Sequence, residues 1–166
     1  MDFEMPLPFA RALENGVRGL IAACAAEPAC SAAYPELEAD WMRAQMRFDS
    51  GPVSADVAHP YTGRPERVRI ERGVFADGLR HLLYSTQQSR RVPALIHAAA
   101  QGDFAEFAQL ELRRTIELNA LIADGVFFSS TCSEDVPFIT EQDIERVTGG
   151  TFLADYRVRR QLAACA

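Results

Sequence analysis

FARALENGVRGLIAACAAEPAC, residues 9–30, decides the fold class of this chain. Phe9, Leu13, Val17, Leu20, Ile21 and Cys24 recur every three or four positions, the spacing of one buried helix face. Pro8 suits a first-turn position, while Gly16 and Gly19 lower helix propensity. Pro28 breaks the pattern, because proline has no amide to donate inside a helix. The stretch therefore predicts a helix, a break, and one cysteine on either side of it.

In an unbroken helix, Cys24 and Cys30 stand about 9 Å apart along the axis on different faces, too far to bond. A turn at Pro28 removes that obstacle. The pair reads as a disulfide stapling two helices, as two reduced buried thiols, or as a metal or redox pair; the disulfide is the preferred reading. Cys132 and Cys165 are then the second pair, one of three connectivities open to four cysteines.

Working outward, a second helix is expected from about Pro35 to Phe48, ending near Gly51. Its buried face is expected to carry Leu37, Trp41, Met42, Met46 and Phe48. The period then changes to two. Val53, Ala55 and Val57 alternate with polar residues, as do Val68 and Ile70, around the turn residues Pro60, Gly63 and Pro65. This predicts a β-hairpin over about residues 52–72. Helical spacing returns with Phe75, Leu79, Leu82 and Leu83. Ser85-Thr86-Gln87-Gln88 and Asp103-Phe104-Ala105-Glu106 read as capping boxes that open further helices. The second leads into a long helix through Phe107, Leu110, Ile116, Leu118, Leu121 and Ile122. Thr140, with Glu141 and Asp143, opens a short helix that Gly149-Gly150 ends; Thr151 opens a last one to Cys165. The fold class is mainly α with one inserted hairpin, in a single domain over residues 1–166, lacking a catalytic α/β sheet.

Composition narrows the function. With 48% hydrophobic residues the chain can bury a core, and a net charge of −6 disfavours a nucleic-acid partner. All 17 basic residues are arginine, which excludes Schiff-base and P-loop chemistry. No apolar run reaches the roughly 18 residues of a membrane span. The start, MDFEMPLPFARAL, lacks a signal peptide's basic and apolar regions. No G-x-S-x-G, H-E-x-x-H, C-x-x-C or Gly-rich phosphate loop occurs, so no catalytic residue, metal site or cofactor is expected. His59, His81 and His97 lie in no motif that suggests a base.

FFSSTCSEDVPF, residues 127–138, holds the remaining chemistry: serines, a cysteine and the adjacent acids Glu134 and Asp135. The acids read as a helix end or turn, or as a carboxylate site for a cationic group.

Three segments together resemble a known family. CAAEPACSAAYPELEA (24–39), TCSEDVPF (131–138) and TFLADYRVRRQLAAC (151–165) are similar to the cap of bacterial α/β-hydrolases of the tripeptidyl aminopeptidase-like and prolyl aminopeptidase-like group. His59-Pro60-Tyr61-Thr62-Gly63 loosely matches that family's hairpin turn. The resemblance implies an excised lid domain, inactive alone, whose partner is the catalytic domain of the same parent chain. It further implies a small peptide or ester substrate at the shared cleft, with Glu134, then Asp135, receiving its ammonium group. Disulfides favour an exported parent. Two other readings stand beside it. One is a free-standing helical interaction module that self-associates as a homodimer; the other is an autonomous enzyme built on Ser129, Ser130, Glu134 and a histidine.

Overall fold

Helix α1 spans Phe9–Ala26 in the computed structural model, which describes residues 4–121 and 123–166. It buries Leu13, Val17 and Cys24, with Phe9, Leu20 and Ile21 packed beside them, as the spacing predicts. Gly16 sits where an added Cβ would come within 2.8 Å of the Leu83 side chain, so its cost in propensity is offset by a close approach. At Glu27 the chain turns extended, and the Glu27 carboxylate accepts the Cys30 amide at 2.6 Å. Pro28 then starts α2 (Pro28–Ala33), where a first-turn proline loses nothing. The break brings Cys24 and Cys30 to a Cα separation of 5.1 Å, joined as a disulfide.

Helix α3 (Leu37–Met46) buries Leu37, Trp41 and Ala44 and packs on α6 (Val92–Gln101). Met42 and Met46, expected on that face, are exposed. Leu37, Trp41 and Ala44 already fill the i, i+4, i+7 stripe, and Met42 points about 100° away from Trp41. Phe48 reaches the core from the turn beyond the helix.

The hairpin pairs β1 (Val53–Ala58) with β2 (Pro65–Ile70) antiparallel, Val53 opposite Ile70 and Ala58 opposite Pro65. Val53, Ala55 and Val57 share the inward face, and the hairpin packs on α7 (Ala105–Leu121). No larger sheet is present among the described residues. Ile122, expected at the end of α7, lies outside them. Between the hairpin and α7 run α4 (Arg72–Leu82) and the short α5 (Thr86–Ser89). Phe75 of α4 centres the core, with ring centroids 4.8–6.3 Å from Phe48, Phe104, Phe107 and Phe152.

Two capping expectations are revised. Ser85 makes no side-chain cap, and only the four-residue α5 follows it; the longer α6 opens with Pro93 in its first turn instead. Asp103 does accept the Ala105 amide, at 2.9 Å, where α7 begins. Helix α8 (Asp124–Glu134) runs into a 3-10 turn at Val136–Phe138. The Thr140–Asp143 box opens α9 (Glu141–Thr148), which ends at Gly149. The last helix, α10 (Tyr156–Cys165), begins at Tyr156 and not at Thr151. The Thr151 hydroxyl donates to the Thr148 carbonyl at 2.6 Å and accepts the Ala154 amide at 3.2 Å. That turn delivers Phe152 and Leu153 into the core before the helix starts.

Candidate functional site

A cavity of about 680 Å³ opens between α4, α7, α8 and α10, with Met5, Pro6 and Phe9 on one side. Its size falls in the range typical of small-molecule sites. Phe9, Val74, Leu112, Leu118, Phe127 and Phe128 give it apolar walls. A hollow of about 720 Å³ also lies beside Ile21, Tyr34 and Leu37, but no histidine or arginine cluster lines it.

What distinguishes the first cavity is an ionic network set into its wall. Asp77 and Arg80 are three positions apart on α4, and Arg80 Nε donates to Asp77 Oδ1 at 2.7 Å. Arg80 is buried; its guanidinium also donates to the Tyr84 hydroxyl and lies 4.0 Å over the Phe9 ring. Arg157 of α10 stands at the edge of ion-pair distance, 3.9 Å from Asp77 Oδ2. Burial pushes its pKa down, opposed by Asp77 and reinforced by the like charges of Arg80 and Arg160. On α7, Arg114 donates twice to Glu111. Burial disfavours the Arg114 charge, but Glu111 outweighs it and the pKa is raised. Arg160 donates to the Tyr156 hydroxyl at 3.0 Å.

His81 is the one histidine on this wall. Its Nδ1 is 2.7 Å from the Asp77 carbonyl and its Nε2 is 3.2 Å from an Arg80 nitrogen. A guanidinium can only donate, so Nε2 accepts and Nδ1 carries the proton: the ring is neutral. Burial lowers its pKa below 6.5, partly opposed by Asp77 and aided by Arg114 and Arg80.

Tyr156 is placed by an absence. A Cβ on Gly73 would fall 2.1 Å from the Tyr156 ring, so only glycine lets that ring lie against α4.

The opening of α8 is apolar and exposed, with Val126 and Phe127; its other end is tied down. The Thr131 hydroxyl donates to the Phe127 carbonyl at 2.9 Å and accepts the Gln161 amide at 2.7 Å. Cys132 is bonded to Cys165, Cα to Cα 5.4 Å. The Asp135 carboxylate accepts the Met5 amide at 3.0 Å, which holds the N-terminal segment in place. Glu134 is exposed and accepts from the Ser130 hydroxyl at 3.3 Å; no cation pairs with it among the described residues. Neither acid lines the cavity, whereas Thr131 does.

The serine-based site does not assemble. His59 Nδ1 accepts the Tyr61 and Thr62 amides, His81 is engaged with Asp77 and Arg80, and His97 Nδ1 lies 2.8 Å from buried Asp40. The Ser130 hydroxyl donates to Glu134, and the Ser129 and Ser130 carbonyls accept the Ser133 hydroxyl within α8. Among the described residues, no cluster of histidine, cysteine or acid could hold a metal ion, and no helix is long and apolar enough to cross a membrane.

The cavity network escaped sequence reasoning altogether. Its traces are Asp77-x-x-Arg80 and Arg157-x-x-Arg160, ordinary-looking i, i+3 pairs whose convergence depends on α4 meeting α10. Comparison of the chain with protein-family models, with curated proteins and with solved structures gives no match.

Proposed function

We propose that this chain is the substrate-shaping lid of an α/β-fold serine hydrolase of the peptidase or aminopeptidase type. It has no catalytic triad of its own; the catalytic domain of the same parent supplies that, and Glu134 receives the substrate's amino terminus. The observation that carries this reading is Glu134 itself, a carboxylate with no cation paired to it among the described residues, at the tethered end of α8. The same helix and the turn after it expose Val126, Phe127 and Phe138. Exposed apolar side chains on the same segment as the acid suit a face closed over a catalytic mouth, where exclusion of water strengthens the pull on an ammonium group. The segment resemblance supplies the partner's identity.

The reading frame flanking this sequence tests it. G-x-S-x-G upstream and an Asp and a His downstream are the expected result. In that enzyme, Glu134→Gln should raise KM for peptides with a free amino terminus and leave N-acetylated ones unchanged. Flanking sequence without these motifs overturns the proposal.

The exposed Leu121, Val126, Phe127 and Phe138 also suit a self-associating helical module. A frame without hydrolase motifs, together with a dimer in sedimentation, would favour that second reading.

A further inference from the structure

We infer that the cavity between α4, α7, α8 and α10 is a binding site for an aliphatic carboxylate. This does not depend on the lid proposal, since every residue concerned lies in this chain. The first argument is charge. The chain as a whole carries −6, yet four arginines (80, 114, 157 and 160) border this cavity against three carboxylates (Asp77, Glu111 and Asp124).

The distribution sharpens the count. Glu111 is engaged in two hydrogen bonds by Arg114. Asp124 stands exposed at the start of α8 and Arg160 is exposed on α10, so water screens both; the buried imbalance rests on Arg80 and Arg157. Among the described residues, Asp77 alone serves both Arg80, at 2.7 Å, and Arg157, at 3.9 Å, while Arg160 is joined only to the phenol of Tyr156. The corner formed by Arg80, Arg157 and Arg160 therefore holds three cations against one shared carboxylate. His81, being neutral, adds no charge to this corner.

The second argument is shape. The remaining wall is aromatic and aliphatic, and the volume of about 680 Å³ holds a medium-length acyl chain. An anion seated at Arg157 and Arg160 offsets part of this excess positive charge, and planar guanidinium groups match a carboxylate's two oxygens. The chain of the ligand then lies along Phe9, Leu118 and Phe128. Neither a bare inorganic anion nor an uncharged hydrocarbon uses both halves of the site.

Competition against a fluorescent acyl carboxylate (dansyl-undecanoate) tests the inference on the full chain. Dodecanoate should displace the probe, with dodecanol and dodecyltrimethylammonium at least about tenfold weaker, as expected when a charge-assisted hydrogen bond is lost. Arg160→Gln changes an exposed side chain and should weaken dodecanoate about tenfold without moving dodecanol. Arg157→Gln should do the same, with its thermal melt recorded as the check on folding. Chemical shifts induced by dodecanoate should centre on His81 and Tyr156. Equal binding of the alcohol or the ammonium, no displacement by dodecanoate, or shifts centred on Phe138 would each overturn the proposal.

Discussion

The Gln161 amide donates to the Thr131 hydroxyl across 30 positions of sequence, at 2.7 Å, with both side chains buried. This bond locks α10 to α8 beside the Cys132–Cys165 bridge, on the wall of the cavity. Gln161→Leu should destabilise the fold by about 1–2 kcal/mol in urea unfolding, because a buried hydroxyl loses a partner. The Thr131 hydroxyl keeps its own donation to the Phe127 carbonyl, which holds the loss toward the lower end. An unchanged midpoint would show that the bond is not formed in solution.

The two disulfides should differ in worth. Loop-closure entropy for sequence separations of 33 and 6 gives about 3.7 kcal/mol for Cys132–Cys165 and about 2.2 kcal/mol for Cys24–Cys30. Paired Cys→Ser replacements followed by urea unfolding measure the difference directly. Non-reducing peptide mapping should recover the same two pairs, and scrambled pairs would contradict the structure.

Gly73→Ala should push Tyr156 off α4, since the new methyl would lie 2.1 Å from the ring. Overpacking of this kind costs about 1–3 kcal/mol. The displaced ring carries the hydroxyl that holds Arg160, so Tyr156 resonances should shift as well as the midpoint. Gly19→Ala, with open space around the added carbon, is the matched control and should stabilise slightly.

Acidification should weaken the fold in two stages. The folded His81 pKa lies below its ordinary 6.5, so just under that pH the unfolded chain takes up a proton that the folded chain refuses. Stability contributed here is complete above 6.5 and falls as pH drops through it. His81→Gln should remove that slope, and a proton titration of His81 should give a midpoint below 6.5. Asp40 is the lower stage: burial raises its pKa, but hydrogen bonds with His97 and Arg43 outweigh this and hold it below 3.8. Its contribution is present above 3.8 and is lost as pH falls through the depressed value.

The helical class, the hairpin and the helix break at Pro28 were legible because each is a local pattern. A period of 3.6 or 2, or a proline, acts on its own neighbours. Thr140–Asp143 was readable for the same reason: a capping box closes on itself. Ser85 does precede a helix, but α5 lasts only four residues and the Ser85 side chain makes no cap bond to it. Met42 and Met46 failed because apolar character does not say which stripe the partner helix covers. The cavity was the least legible feature. Arg80, Arg157 and Asp77 become one cluster only through the contact of α4 with α10, a tertiary fact that no spacing encodes.

Among the described residues, the side-chain ties of helix α8 to distant parts of the chain gather at its last turn. Cys132, Thr131 and Asp135 hold its last turn by a covalent bond and two hydrogen bonds to distant parts of the chain, while Val126 and Phe127 at the other end are exposed. Mechanically it is a cantilever rooted at Cys132. Amide exchange should therefore slow steadily from Asp124 toward Cys132, and reducing the Cys132–Cys165 bond should flatten that gradient by loosening the root. The mouth of the cavity would then be governed by the bending of a single beam, with its compliance set by redox conditions far from the free tip.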